Sequence, residues 1–283
     1  MRSLYISDLD GTLLGADGSL SDESKNILLR LLSNGMEFTV ASARSVSSIQ
    51  NVLAGIDLTL PVIEFNGAMV SDFHTGEHLF INSINSSVVE DVLSLVEDSG
   101  NSAFVSAFTG SEDRLYYSSV TGEGMQWYLN NPRFNRDRRL RQLSGIRESL
   151  DNQVICVNVT GRIENVEGLE AELRKQFSDS LVIHCLQDHY SPGFYWLTAH
   201  SIKASKANAI QFLQNFTGTT DRELVVFGDN SNDIGMFKLA DRAVAVSNAT
   251  SELKAFADEI IGRSDMDSVA LYMKEGQENK PCC

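Results

Sequence analysis

Two pairs of acidic residues, one near each end of the chain, are the residues best suited to chemistry. They are Asp8 and Asp10, which follow the apolar run 4–6, and Asp229 and Asp233, which follow the apolar run 224–227. Carboxylates two residues apart at the end of a strand point roughly the same way, and burying like charges so close together is costly unless a cation or a proton intervenes. Two such clusters in one chain favour a shared site.

The four carboxylates would suit a small divalent cation. Ligands of open α/β sheets gather at the carboxyl ends of parallel strands, so both clusters would face one crevice. Mg²⁺ fits because it accepts few protein ligands and completes its shell with water and phosphate oxygens. A calcium loop fits poorly, since the acidic spacing lacks the characteristic loop pattern with its final glutamate. For the second cluster, an Asp/Asn-rich turn after a core strand is the structural alternative.

Four short segments resemble, in order, the signature motifs of the haloacid dehalogenase superfamily of phosphohydrolases. They are Asp8-Leu9-Asp10-Gly11-Thr12-Leu13-Leu14, Val40-Ala41-Ser42-Ala43-Arg44, Ala204-Ser205-Lys206-Ala207 and Gly228-Asp229-Asn230-Ser231-Asn232-Asp233. The fourth has the form typical of the Cof-type branch, which the loop 66–68 and the run 244–249 also resemble. Ser42 stands where the family has threonine, and Ala43 and Ala207 stand where it has glycine, so no reacting group is lost.

The resemblance implies a role for each matched residue. Asp8 would be the nucleophile that forms an aspartyl-phosphate, and Asp10 would protonate the leaving alcohol and then deprotonate the attacking water. Ser42 would donate a hydrogen bond to the phosphoryl group, and Lys206 would offset its charge, with Lys203 as a competing choice. The implied Mg²⁺ ligands are Asp8, the backbone carbonyl of Asp10, and Asp229, with Asp233 as a further ligand or an anchor behind them.

Three other polar residues of these segments allow more than one interpretation. Arg44 would either bind phosphate or make a cap or salt bridge near the predicted helix 45–53. Asn232 would hydrogen-bond close to the phosphate. Asn66 would contact the substrate or only form a turn, because Asn-Gly pairs favour turns.

The acid at position 10 also separates reaction classes. Halide leaves without a proton whereas an alkoxide needs one, so Asp10 predicts a phosphatase or a phosphomutase rather than a dehalogenase. The predicted function is a Mg²⁺-dependent phosphatase acting on small phosphorylated metabolites, sugar phosphates first. The alternatives are a phosphomutase with the same chemistry and a non-catalytic metabolite-binding regulatory protein, although such a module would not need the acid at position 10.

Charge and composition limit the partners of the protein. The 283 residues include 23 basic and 38 acidic side chains, a net charge of −15, which argues against binding to nucleic acid or to anionic membranes. No signal peptide or membrane span is expected from the apolar runs, and four cysteines do not make a disulfide framework. The expected location is cytoplasmic, and Cys282-Cys283 is expected to be part of a disordered tail.

The elements that must position the site residues are predicted to alternate between helix and strand. The first of them are a helix over 21–35, a strand over 38–41, a helix over 45–53 and a strand over 62–65. Ser21 would cap the first helix, and Gly35 would end it. Strands alternating with helices predict an α/β fold with a doubly wound, parallel, Rossmann-like sheet.

The pattern changes after Asn82, which predicts an inserted domain. Its predicted elements are helices over 86–99 and 166–177 and strands over 103–108, 115–119, 153–160, 181–186 and 194–198. The catalytic core would comprise residues 1–83 and 199–283, and residues 84–198 would form an inserted α/β cap. Such a cap would select the substrate and exclude unwanted water.

Two groups of residues in the predicted cap could contact substrate. The arginine cluster, Arg133, Arg136, Arg138, Arg139 and Arg141, would grip a second anionic group or form a solvated surface. The aromatic group, His184, His189, Tyr190, Tyr195 and Trp196, would line a sugar-binding wall or pack internally.

Overall fold

The computed structural model describes residues 2–132 and 137–278. The chain divides into two compact units: unit 1 comprises Met1–Phe80 and Ser205–Cys283, and unit 2 comprises Ile81–Ala204. The predicted division, at 84 and 198, lies within several residues of these boundaries. Among the described residues, none of the helices combines the length and the apolar character that a membrane span requires.

Strands and helices alternate through most of the chain. The strands are β1 (Ser3–Ser7), β2 (Glu37–Val40), β3 (Val62–Glu64), β4 (Met69–Ser71), β5 (His78–Ile81), β6 (Phe104–Phe108), β7 (Asp113–Tyr117), β8 (Leu140–Gln142), β9 (Gln153–Gly161), β10 (Leu181–Gln187), β11 (Tyr195–Ser201), β12 (Glu223–Gly228), β13 (Arg242–Val246) and β14 (Glu259–Ile261). The helices are α1 (Asp22–Ser33), α2 (Val46–Val52), α3 (Ser86–Asp98), α4 (Gly122–Asn130), α5 (Ile163–Gln176), α6 (Lys206–Thr217), α7 (Ile234–Leu239), α8 (Ser251–Lys254) and α9 (Ser268–Glu278).

Unit 1 is built on a five-stranded parallel sheet in the order β14-β13-β12-β1-β2. A parallel bridge between Ala41 and Ile63 links this sheet to the smaller sheet β3-β4-β5. The central strands β1 and β12 read as nearly unbroken apolar runs because a parallel sheet is normally buried on both faces. The predicted α/β class with a parallel core sheet is confirmed.

Helix α1 illustrates how local sequence fixes an element in this unit. The backbone N–H of Ser24 donates to Oγ of Ser21 at 2.9 Å, which satisfies a free N–H of the first turn. The buried face carries Ile27, Leu28 and Leu31, spaced as one side of a helix. The helix ends at Ser33, earlier than predicted, and Gly35 takes the left-handed conformation after it.

Unit 2 is built on a six-stranded sheet in the order β10-β11-β9-β6-β7-β8, in which only β7 and β8 pair in parallel. Helices α3 and α5 pack on it and share a buried apolar cluster with β6, β9, β10 and β11. Helix α4 was not predicted. Gly124 is there for packing: a Cβ at this position would lie 1.8 Å from the carbonyl oxygen of Thr160.

Candidate active site

The acidic residues of the first and last motifs emerge side by side from the core sheet. Strands β1 and β12 are parallel neighbours that pair Ser7 with Phe227. Asp8 follows β1 directly, and its backbone N–H donates to the Phe227 carbonyl at 3.0 Å. Asp229 follows β12 in the same way, so the two carboxylates reach the same edge of the sheet, as the rule for parallel sheets predicts.

Three buried carboxylates meet at this edge. One oxygen from each of Asp8, Asp229 and Asp233 lies within 4.8 Å of the other two. Their exposed fractions are 5%, 4% and 0%, so water contributes little to balancing their charges. Thr12 adds a neutral donor, since its hydroxyl donates to Oδ1 of Asp229 at 3.1 Å. The sequence analysis named Thr12 only as a member of the first motif and predicted no role for it.

Among the residues that the structure describes, one ammonium group, that of Lys206, lies between these carboxylates. Nζ of Lys206 donates to Oδ1 of Asp8 at 2.7 Å and to Oδ1 of Asp233 at 2.6 Å, and its side chain is fully buried. Lys203, the competing choice, is exposed. Lys206 is the first residue of α6, whose N-terminus is capped by the Ser205 hydroxyl.

The start of α6 is held in place by close backbone packing. Gly67 has φ +94° and lies against the backbone of Ser205 and Lys206. A Cβ at this position would lie 2.2 Å from the Ser205 carbonyl oxygen, so a side chain could not be accommodated there. The Asn-Gly pair therefore does more than form a turn: it lets the loop Phe65–Gly67 approach the helix that carries Lys206.

Asp233 behaves as an anchor for the cluster. Its Oδ1 accepts from Lys206, while its Oδ2 accepts from the backbone N–H groups of Asp229 at 3.0 Å and Asn230 at 3.2 Å. Gly228 leaves room for this arrangement, because a Cβ there would lie 2.6 Å from Oδ2 of Asp233. Both oxygens of Asp233 are therefore engaged in fixing Lys206 and the turn after β12. Of the two roles implied for Asp233, this geometry favours the anchor.

The electrostatics of the cluster reflect burial and crowding. Burial, together with the charges of Asp233 and Asp10, raises the pKa of Asp8 to about 7 despite the opposing charge of Lys206. Burial, together with the charges of Asp8 and Asp233, also raises the pKa of Asp229 well above its usual range. Burial alone would lower the pKa of Lys206, but the carboxylates of Asp233 and Asp8 outweigh it and the pKa is raised. The ammonium group is thus charged, and the carboxylates lack sufficient counter-charge.

Asp10 lies outside this cluster and pairs with Arg44. The Arg44 guanidinium donates through Nε to Oδ2 of Asp10 at 2.7 Å and through Nη2 to Oδ1 at 2.6 Å. It also donates through Nη1 to the hydroxyl of Ser48, on α2, at 3.1 Å. The two side chains of the pair are 21% and 23% exposed, respectively, so this ion pair is at the rim of the site. The sequence had considered a salt bridge for Arg44 but had not indicated Asp10 as the partner.

The remaining predicted phosphate ligands, Ser42 and Asn232, are linked through hydrogen bonds to Asn66. Ser42 is 1% exposed, its hydroxyl accepts from the backbone N–H of Arg44 at 3.2 Å, and its carbonyl accepts from the N–H of Asn66 at 2.9 Å. The side-chain amide of Asn232 donates to Oδ1 of Asn66 at 3.0 Å. Asn66 has φ +57°, a left-handed conformation that asparagine tolerates better than most residues. Asn66 and Asn232 thus support each other across two motifs.

A residue that the sequence analysis missed is Glu64, which is fully buried at the end of β3. Its carboxylate accepts from the backbone N–H of Val46, the first residue of α2, at 2.5 Å. The available signal was a lone acid inside the apolar run 62–65. Charged residues are rarely buried without partners, so an acid in this run indicated a buried interaction.

The cap residues singled out by sequence are mostly engaged within unit 2. Arg139 forms a two-bond pair with Asp137, at 3.0 and 2.6 Å, and Arg141 donates to nearby backbone carbonyls. Trp196 packs edge-on against Trp127 and donates through Nε1 to Asp188 at 2.9 Å, which fits internal packing. Arg133 and Arg136 lie outside the described residues, as do Cys282 and Cys283.

Comparisons with known proteins agree with the motifs. The family model described as haloacid dehalogenase-like hydrolase matches residues 5–273. The 5-amino-6-(5-phospho-D-ribitylamino)uracil phosphatase YitU of Bacillus subtilis (strain 168) is 24% identical over 274 residues, which cover 96% of each chain. A solved haloacid dehalogenase-like hydrolase from Bacteroides thetaiotaomicron has a TM-score of 0.79 at 21% identity and covers 97% of this chain and 99% of its own. The solved HAD subclass IIB sugar phosphatase BT4131 has a TM-score of 0.77 at 19% identity, with coverage of 98% and 99%.

Proposed function

Because the chain belongs to the haloacid dehalogenase-like hydrolase family, as its motifs predict, we propose that it is a Mg²⁺-dependent phosphatase that hydrolyses small phosphorylated metabolites through an aspartyl-phosphate. The observation that carries the proposal is the environment of Asp8. Oδ1 of Asp8 is held by Lys206, while Oδ2 has no hydrogen-bond donor among residues 2–132 and 137–278. A carboxylate oxygen that is fixed in place and left without a donor suits a nucleophile.

The donor set of the cluster fits a divalent metal ion. Three carboxylates of the described residues surround one ammonium group, so the buried cluster holds more acidic than basic groups, and a dication would offset that excess. All the donors are hard oxygens, which suit Mg²⁺. Asp8, Asp229 and the backbone carbonyl of Asp10 would hold the ion, with Asp233 as the anchor behind them. When bound, Mg²⁺ would reduce the repulsion between the phosphate dianion and the attacking carboxylate.

The two half-reactions divide between Asp8 and Asp10. Asp8 attacks phosphorus, and the bond from phosphorus to the alcohol oxygen breaks while Asp10 gives that oxygen a proton. Asp10 then takes a proton from a water molecule that attacks the aspartyl-phosphate, and phosphate leaves as Asp8 is regenerated. Lys206 keeps Asp8 in position and offsets charge on the phosphoryl group, to which Ser42 would donate and near which Asn232 would hydrogen-bond. The Arg44 contact keeps the Asp10 carboxyl group in position, and one of its two hydrogen bonds must give way when Asp10 takes up the proton that it donates.

The proposed substrates are phosphate esters of small metabolites, sugar phosphates first. The relatives support this class, since one is named for a phosphorylated ribityl compound and one solved structure is that of a sugar phosphatase. Unit 2 would act as the cap that selects among them. The net charge of −15 makes phosphate capture depend on local groups such as Lys206 and Arg44.

The test is phosphate release from a panel of phosphorylated sugars and polyols, with and without Mg²⁺. The wild-type protein should release phosphate from at least one of them, a metal chelator should stop the reaction, and added Mg²⁺ should restore it. Asp8→Asn should abolish turnover, whereas Asp22→Asn, at an exposed carboxyl on α1, should not. Turnover that survives Asp8→Asn would refute the nucleophile. Transfer of the phosphoryl group between hydroxyls without phosphate release would identify a phosphomutase instead.

A further inference from the structure

Besides Asp8, Asp229 and Asp233, unit 1 contains a buried acid, Glu64, that takes no part in the chemistry proposed above. We propose that Glu64 is a positioning residue that fixes Arg44 and, through Arg44, the carboxyl group of Asp10. The inference rests on the proposed function, because it assigns Asp10 the proton transfers described there. Its physical basis is a chain of contacts that runs from Glu64 through the start of α2 to Asp10.

The Glu64 carboxylate is surrounded by hydrogen-bond donors. Oε2 accepts from the backbone N–H of Val46 at 2.5 Å, and Oε1 accepts from the hydroxyl of Ser71. Nδ1 of His78 lies 3.3 Å from Oε1 and 2.7 Å from the Ser71 oxygen. A backbone N–H can only donate, so Oε2 acts as an acceptor, and the Ser71 hydroxyl provides a hydrogen bond to Oε1. Burying a carboxylate is costly unless donors satisfy it, and the donors that satisfy Glu64 come from the start of α2 and from β4.

The element that Glu64 holds is the N-terminal end of α2. Glu64 ends β3, and its bond to Val46 attaches the first N–H of α2 to that strand. The neighbouring residue Phe65 donates its N–H to the carbonyl of Arg44 at 3.1 Å, so the segment around Arg44 is attached to the same place. The side chain of Glu64 is thus the polar link between the start of α2 and β3.

Arg44 depends on α2 for its orientation. Its guanidinium donates to Ser48 on α2 at 3.1 Å and also makes the 2.7 and 2.6 Å bonds to Asp10. A shift of the first turn of α2 would carry Ser48 with it and turn the guanidinium away from Asp10. Misplacing a proton donor by about 1 Å costs up to roughly a hundredfold in rate. The backbone bond from Asn66 to Ser42 does not involve Glu64, so the loops should stay folded without its charge.

The variant Glu64→Gln keeps the shape of the side chain and removes its charge. A second variant, Val46→Pro, removes the N–H that Glu64 accepts. Proline is well tolerated at the first position of a helix, and Ser45 already has the extended backbone (ψ 159°) that precedes proline. The matched control is Thr39→Val, which removes a buried hydrogen bond to the Pro61 carbonyl in the same unit but does not touch α2.

The first readout compares two leaving groups by kcat/KM. An alkyl phosphate such as glycerol phosphate needs a proton from Asp10, whereas para-nitrophenolate leaves without one. Glu64→Gln and Val46→Pro should lower kcat/KM about tenfold for the alkyl phosphate and less than about twofold for para-nitrophenyl phosphate. In an Arg44→Met background, Glu64→Gln should cause no further loss. Equal losses on both substrates, or a loss that multiplies with Arg44→Met, would overturn the inference, as would no loss at all.

The second readout does not depend on turnover. The Nε–H proton of Arg44, bonded to Asp10, should give a distinct signal in ¹⁵N-correlated NMR spectra, assigned by its loss in Arg44→Lys. Glu64→Gln should shift or broaden this signal, and Thr39→Val should leave it in place. If the wild-type protein releases no phosphate but Glu64→Gln still moves the signal, the proposed function fails while the positioning by Glu64 stands. An unmoved signal would refute the positioning, whatever the activity.

Discussion

Two buried acidic sites of unit 1 differ in how their charge is balanced: the cluster around Asp8, and the single carboxylate of Glu64 with its polar neighbours. The cluster around Asp8 contains three carboxylates and one ammonium group, and burial raises the pKa of both Asp8 and Asp229. Glu64 is as deeply buried, yet each of its two carboxylate oxygens accepts a hydrogen bond, from the backbone N–H of Val46 and from the Ser71 hydroxyl. The cluster around Asp8 has too little positive charge, whereas the Glu64 carboxylate has a hydrogen-bond partner for each oxygen.

This difference separates the residues proposed to react from a residue that positions them. A buried cluster with too little positive charge favours the binding of a cation. Without bound metal, the repulsion between its carboxylates lowers the stability of the protein. A satisfied carboxylate costs little and fixes the backbone around it. If the comparison is right, changes in the first cluster should affect turnover and metal-dependent stability, while changes around Glu64 should affect only the geometry of one proton donor.

The largest effect is expected from Lys206→Met, which removes the ammonium group of the unbalanced cluster. Turnover should fall by about a thousandfold or more, because Asp8 loses its anchor and the phosphoryl group loses a counter-charge. The metal-free protein should also lose about 3 kcal/mol of stability, since a buried pair is broken. Both are measurable by phosphate release and chemical denaturation.

The control for this variant is Lys203→Met, which changes an exposed lysine close by in sequence. It should alter turnover by less than about twofold and stability by less than about 0.5 kcal/mol. A similar loss in both variants would mean that the structure assigns the cation of the site wrongly.

The next largest effect is expected from Gly67→Ala, which attacks the packing behind Lys206 without changing any charge. The added Cβ would meet the Ser205 carbonyl at 2.2 Å, and φ is +94°. We expect a loss of about 3 kcal/mol in stability and a clear fall in turnover as α6 is displaced. Thermal unfolding and phosphate release measure the two effects.

Gly35→Ala provides the matched comparison, because Gly35 has φ +80° but an added Cβ there would meet no atom of the described residues within 4 Å. It should cost about 1 kcal/mol from backbone strain alone and leave turnover unchanged. Equal effects at the two glycines would show that the close approach to α6 is unimportant.

The convergence of Asp8 and Asp229 could be predicted from sequence because it depends on one rule. Each carboxylate follows an apolar strand, and parallel neighbours end at the same edge. The Arg44–Asp10 pair could not be predicted, since nothing in either segment encodes their distance in space. Helix α4 escaped prediction for a related reason: Gly124 is required by contact with β9, not by a local turn.

Glu64 marks the limit of the motif argument. The motifs identify the residues proposed to contact phosphate and metal, but a residue that positions those motifs can lie between them, as Glu64 does. A lone acid within an apolar strand signalled that a partner existed, while the partner, a backbone N–H of α2, became evident only in the fold. Hence the sequence predicted the proposed reacting residues more completely than the residues that position them.

The smallest predicted effect is a pH dependence that belongs to the unbalanced cluster. Folding raises the pKa of Asp8 from 3.8 to about 7, so the folded protein favours the protonated acid. The corresponding stability is fully present below the unfolded pKa and is lost as the pH rises through about 7. The metal-free protein should therefore be less stable at about pH 8 than at about pH 5.5, by on the order of 2 kcal/mol.

Asp8→Asn isolates this contribution, because the amide keeps the shape of the side chain and cannot ionise. The variant should flatten the fall in stability with pH, and Mg²⁺ should oppose the fall in the wild-type protein by favouring ionised carboxylates. A wild-type protein whose metal-free stability rises over this pH range would contradict the charge imbalance at Asp8, and with it the distinction between the two sites.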